Sequence, residues 1–145
     1  MTMQTGRIRV FAAAIGLGIS LGLGCQAKSD HPETVPVSGK VSYRGEPLPR
    51  GTITFQSDEG HSATGQIGVG GQYTLSTFGE NDGAIPGHHR VLVIANDGDE
   101  HMMPGSSPGY KKPTDLVPKK YGKLETSGLE ETVSKEKQSY DIDIK

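Results

Sequence analysis

From Val35 onward the chain alternates between apolar and polar positions with a period of two, the mark of half-buried strands. In VPVSGKVSY, Val35, Val37, Val41 and Tyr43 fall on one face and Ser38, Lys40 and Ser42 on the other. TITFQ places Ile53 and Phe55 opposite Thr52 and Thr54, and ATGQIGV sets Ala63, Gly65, Ile67 and Val69 on one side. QYTLST turns Tyr73 and Leu75 inward. RVLVIA, residues 90–95, is apolar on both faces and predicts a central strand covered from both sides. GLEETVS and QSYDIDIK close the pattern, with Tyr140, Ile142 and Ile144 inward and Asp141, Asp143 and Lys145 outward. RGEPLPRG, SDEGHS and the Gly70-Gly71 pair read as turns, the last as a hairpin connection. FGENDGAIPGHH is a longer loop, and residues 96–127 form an aperiodic excursion with one helical turn expected near Leu116–Tyr121. Seven strands and mostly short turns predict an all-β fold, a seven-stranded antiparallel two-sheet sandwich.

The segment before Val35 has a different pattern. Arg7 and Arg9 precede an uncharged run from Val10 to Leu23 in which only Ser20 is polar. A membrane-spanning helix needs about 20 apolar residues. Fourteen are too few for that and suit the hydrophobic region of a signal peptide. The only cysteine, Cys25, stands where this run stops. Leu21-Gly22-Leu23-Gly24-Cys25 resembles a bacterial lipobox, with the aliphatic residue displaced by one position. That resemblance implies cleavage after Gly24 and lipidation of Cys25. Acyl chains contribute about 0.8 kcal/mol per buried CH₂, so two or three would hold the protein on a membrane. The alternatives are an ordinary secretory signal with an incidental cysteine, or an uncleaved interfacial anchor. The organisation expected is a lipoprotein-type signal over 1–24, a polar, Pro-containing tether over 25–36 and a β domain over 37–145.

Composition agrees with a loop-rich β domain: 21 Gly, 9 Pro, no Trp and 32% hydrophobic residues. A lone cysteine cannot form an intramolecular disulfide. Loss of residues 1–24 removes Arg7 and Arg9 and no acid, leaving thirteen basic residues against seventeen acidic, a net −4. The densest basic stretch, Lys111-Lys112 with Lys119-Lys120, is balanced by acids elsewhere, which argues against a nucleic-acid partner.

Several stretches, in order, resemble the carboxypeptidase regulatory-like, transthyretin-like domain. They are VPVSGKVSYRGEPLPRGTITF, ATGQIGVGGQYTLSTF with its Gly-x-Tyr-x-Leu, and GAIPGHHRVLV. With the lipobox-like segment, PKKYG and TSGL, the chain is similar to small cell-surface lipoproteins of planctomycete-type bacteria over roughly residues 35–145. The resemblance implies a seven-stranded prealbumin-like sandwich without catalytic activity, and the zinc-bearing catalytic domain that accompanies it in the peptidases is not expected here.

Candidate chemistry is sparse. His88 and His89 are adjacent on a strand and should point to opposite faces, so they cannot close on one metal ion. His101-Met102-Met103 carries soft-metal donor types without a second cluster nearby. The acidic turns at 80–83 and 96–100 lack the alternating ligand spacing of calcium loops and flank one strand, which sets them at opposite ends. Neither a nucleophile elbow nor His-Glu-x-x-His is present, and the glycines of 65–71 lack Gly-Lys-Ser/Thr and sit between strands. No catalytic, cofactor-binding or metal-binding residue is assigned, and no cofactor is expected. The function expected is a non-enzymatic, lipid-anchored domain of the cell envelope, facing periplasm or exterior, that binds or scaffolds an envelope protein or glycan. The alternative is a secreted small-ligand or carbohydrate-binding module, for which Tyr110 and Tyr121 are the loop aromatics available. If the strands run alternately up and down, the turns at 45–51 and 69–71 and the excursion 96–127 gather at the pole opposite Val35.

Overall fold

The structure, a computed structural model, describes residues 30–98 and 110–145. Eight strands form two four-stranded sheets: β1 (Ser38–Tyr43), β2 (Glu46–Pro47), β3 (Gly51–Ser57), β4 (Ser62–Ile67), β5 (Gln72–Thr74), β6 (Gly87–Ile94), β7 (Leu129–Val133) and β8 (Ile142–Ile144). The fold is all-β. Among the described residues helical structure is confined to the 3₁₀ turns Val69–Gly71 and Lys119–Gly122 and the single-turn helix α1 (Leu124–Ser127). The helical turns therefore follow the expected one at Leu116–Tyr121 by a few residues.

One sheet has the antiparallel order β4-β3-β6-β7, with Phe55 opposite both Ala63 and Val91. In the other, β1 is central. β5 and β2 share one of its edges antiparallel, and β8 runs parallel along the other, Val41 opposite Ile142. This parallel pair corrects the expectation of a wholly antiparallel arrangement. The chain reaches β8 from β7 in the opposite sheet, so no hairpin dictates its direction. The two-residue β2 is likewise an addition: Arg44 and Gly45 both have positive φ, 53° and 84°, and close a tight hairpin that brings Glu46 back beside Tyr43.

The inner faces meet over a single core. Val37, Val41, Leu75, Tyr140, Ile142 and Ile144 from one sheet pack against Ile53, Phe55, Val91, Val93 and Val133 from the other. Their alternation in sequence is the physical reason these segments are strands: each buries one row and wets the other. Val69, expected inside, is 92% exposed, because β4 ends at Ile67 and the 3₁₀ turn carries Val69 off the pleat. Ile94 is half exposed and Leu92 partly so, and β6 is thus not sealed on both faces. Among the described residues the 3₁₀ turn at Lys119–Gly122 and α1 pack against it.

The two ends of the molecule differ. At one, Val35 pairs with Ala84, and Glu33 forms an ion pair with Lys135 at 2.9 Å. At the other lie the Arg44–Gly45 turn, Val69–Gly71, the end of β6 and residues 110–127. There Leu116 N–H donates to the Ala95 carbonyl (2.8 Å), the Arg50 guanidinium to that of Gly98 (2.7 Å), and the Tyr121 hydroxyl to that of Lys145 (2.8 Å).

Candidate functional site

A concavity lies where β4 and β5 curl from one sheet into the other. Gly68 N–H donates to the Gln72 carbonyl (2.8 Å), and Thr64 and Ser76 exchange two bonds of 2.9 Å. These two closed rungs fix a hairpin register in which Gln66 faces Thr74. At that middle rung β4 and β5 form no ladder. β5 is drawn to β1, where Gly39 pairs with Tyr73, and the Thr74 carbonyl lies over Gly65 so closely that a Cβ there would sit 2.6 Å from its oxygen. The Gly70–Gly71 hairpin of the sequence reading is therefore half opened. It leaves an open groove of about 850 Å³ against β1 and the segment leading into β8, Ser139 and Asp141.

The groove's far wall contains a second break. Ser38 N–H donates to Gln138 O and Tyr140 N–H to Ser38 O, so the parallel ladder predicts that Lys40 N–H should reach Tyr140 O. Instead that carbonyl turns into the core and accepts the buried Tyr73 hydroxyl at 2.6 Å. Burial is the main cause that pushes the Tyr73 hydroxyl pKa well above its ordinary value, with the charges of Glu131 and Asp141 adding to it. Lys40 N–H is taken by the Asp141 carboxylate at 2.9 Å. Asp141 therefore stands at the groove with a structural task for one oxygen.

His88 and His89 do point to opposite faces. His89 is 1% exposed beside Phe55, with Nδ1 3.0 Å from the Gly87 carbonyl; burial lowers its pKa. His88 lies on the surface with Nδ1 3.2 Å from Asp58 and Nε2 3.6 Å from Glu130. The hydrogen bond to Asp58, chiefly, and the pairing with Glu130 raise its pKa. Nearby, Phe78 is stacked by His31 at 4.4 Å and met edge-on by His61 at 5.6 Å, which fastens the segment before β1 to the end of the sandwich. Among the described residues no group of three His, Cys, Asp or Glu side chains is arranged to hold a metal.

The acidic turns lie at opposite ends of β6 and are used internally. The Asp82 carboxylate accepts N–H groups of Thr77 (2.7 Å), Phe78 (2.9 Å) and Gly79 (2.8 Å). Partial burial works to raise its pKa, and these backbone bonds together overcome that and hold it below the ordinary value. Asp97 exchanges backbone and side-chain bonds with Thr114, pinning the return of the excursion. Tyr121, considered a loop aromatic, is buried; Tyr110 is half-buried. Gly24, Cys25, His101, Met102 and Met103 lie outside the described residues, as do positions 99 and 100 of the second acidic turn. Among the described residues no helix is long and apolar enough to cross a membrane.

The groove was not anticipated from the alternation. The signal that could have found it is the isolated glycines inside strands, Gly39 and Gly65, since glycine within a strand pattern marks a bulge or a close backbone approach. Comparison of the chain with known protein families, with curated proteins and with solved structures gives no match to any of them.

Proposed function

We propose that this chain is a lipid-anchored, non-enzymatic domain of the cell envelope that binds or scaffolds at the cell surface. The observation that carries the reading is the polarity of the fold. The described chain enters the sandwich beside Val35 and Ala84, while the hairpin turn at Arg44, the Val69 turn and residues 110–127 gather at the opposite end. An anchor at Cys25 then places those loops away from the membrane. A carboxypeptidase regulatory-like, prealbumin-type sandwich is the fold we assign within the all-β class. It is supported by the seven strands that remain when the two-residue β2 is set aside, and by their division over two sheets around one core.

Mass spectrometry of the membrane-associated protein tests the anchor, beside a Cys25→Ser variant. The expected result is an N-terminal Cys25 carrying acyl mass, with the variant lost from the membrane fraction. A mature chain that starts elsewhere and carries a free Cys25 overturns it. The second reading, a secreted module that binds a small ligand or carbohydrate, is favoured by one observation, the open groove beside β5.

A further inference from the structure

We propose that the groove beside β5 is a binding site for a neutral oligosaccharide, recognised by side chains alone. This deepens the reading of the chain as a binding domain and is independent of its anchoring.

The volume, about 850 Å³, falls within the roughly 300–1,000 Å³ of small-molecule sites. Its shape is a trough open to solvent, which suits a chain of sugar rings lying across it. Three features select the ligand class. The first is charge. Eight lining side chains are neutral hydroxyls or amides, and the only ions are Lys40 and Asp141, one of each sign. A charged ligand would meet one of them unfavourably, whereas a polyol can donate to the carboxylate and accept from the ammonium. The side chains of Gln72 and Thr74 have no hydrogen-bond partner among the described residues and are exposed, ready to pair with hydroxyls.

The second feature is the backbone. An extended peptide adds to a sheet through a free edge. Here both edges of β1 are occupied, and the β4–β5 hairpin is pinned on either side of its open rung by Gly68–Gln72 and Thr64–Ser76. No strand can insert at a gap of a single rung. The third feature is the floor. Gly39, Gly65 and Gly68 line it, the side-chain directions of Gly39 and Gly65 being filled by the Tyr140 and Thr74 carbonyls, and Val69, 92% exposed, lines it beside them. Together they offer C–H surface for the apolar face of a sugar ring. The one aromatic ring at the groove, Tyr73, is buried with its hydroxyl committed to Tyr140, so stacking contributes nothing and the affinity expected is of order 1 mM.

The test is a titration of the full, isotope-labelled chain in detergent micelles, followed by amide chemical shifts. The probes are maltotetraose, cellotetraose and the tetramer of N-acetylglucosamine, with tetragalacturonate and a neutral tetrapeptide as competitors of other classes. The expected result is saturable shifts at Gln66, Gln72 and Thr74 with at least one neutral sugar. Gln72→Ala should weaken that binding about fivefold, the loss of one neutral hydrogen bond. Lys119→Ala, at the distal loops, should leave it unchanged. Absence of saturable shifts with all three neutral sugars overturns the proposal. So does stronger binding of the acidic sugar or the peptide, or shifts that map elsewhere. A free Cys25 leaves this titration untouched, and a failed titration leaves the lipid anchor untouched.

Discussion

Gly39 lies directly beneath the carbonyl of Tyr140: a Cβ at residue 39 would sit 2.0 Å from that oxygen. The contact exists because Tyr140 turns its carbonyl out of the β1 ladder to receive the Tyr73 hydroxyl. Three residues from three strands or their extensions thus share one point in the core. Gly39→Ala forces the carbonyl or β1 to move, and we expect a loss of about 2–4 kcal/mol in urea unfolding. Tyr73→Phe keeps the ring and removes the donor from a buried acceptor, at a cost of about 1–2 kcal/mol. Both changes act through one oxygen, so the double variant should lose less than the sum of the two. Simple addition would show that Gly39 and Tyr73 act separately.

The neighbouring histidines of β6 should titrate in opposite directions. His88, held by Asp58 and Glu130, has its pKa raised above 6.5. It contributes stability that is fully present below the unfolded value and is lost as pH rises through its folded one. His89, buried beside Phe55, has its pKa lowered; its contribution is present above the unfolded value and is lost as pH falls through its folded one. Imidazole resonances followed by NMR between pH 4 and 9 should show His88 protonating first on acidification. Asp58→Asn should bring the His88 transition down and leave that of His89 nearly in place. A common midpoint for the two rings in the native protein would contradict this assignment.

Asp82 organises the loop that leads to the Val35–Ala84 pairing. Its carboxylate satisfies three N–H groups, and its folded pKa lies below the unfolded value. The stabilisation is therefore present above the unfolded carboxylate pKa, near 3.9, and is lost as pH falls through the folded one. Asp82→Ala should cost about 1–2 kcal/mol at pH 7, since the site is partly solvated, and the penalty should shrink in strong acid. Amide hydrogen exchange at Thr77, Phe78 and Gly79 should accelerate in the variant. An unchanged exchange rate would show that these amides do not depend on the carboxylate.

What could be read in the sequence was whatever follows from alternation along a single strand. Ile53 and Phe55, Tyr73 and Leu75, and Tyr140, Ile142 and Ile144 all point inward as their spacing predicts. The opposed faces of His88 and His89 follow from the same rule. The features that escaped depend on how strands meet. The parallel β1–β8 pair is set by the path from one sheet to the other. The open rung at Gln66 and Thr74 is set by competition between β1 and β4 for β5. Neither leaves a trace in the period of hydrophobicity; Gly39 and Gly65 are the only local signs. The apolar run 90–95 looked covered on both faces from sequence, yet Ile94 stays half exposed although the 3₁₀ turn at Lys119–Gly122 packs against β6.

Ile67 and Val69 separate the two kinds of information most sharply. By alternation they belong to one inward row. In the structure Ile67 closes β4 in the core, 4% exposed, while Val69 starts a 3₁₀ turn and is 92% exposed. The turn departs from the pleat because Gly70 and Gly71 both adopt positive φ, 76° and 77°, a conformation that side-chain-bearing residues rarely take. Ile67→Ala should therefore cost about 2–5 kcal/mol, as removal of buried branched carbon does. Val69→Ala should change stability by less than about 0.5 kcal/mol. Paired urea denaturation curves decide the matter. Comparable losses at the two sites would mean that the alternation continues through residue 69 and that the β4–β5 connection is a regular hairpin. In that case the groove beside β5 would close, and the sugar titration at Gln66, Gln72 and Thr74 would fail with it.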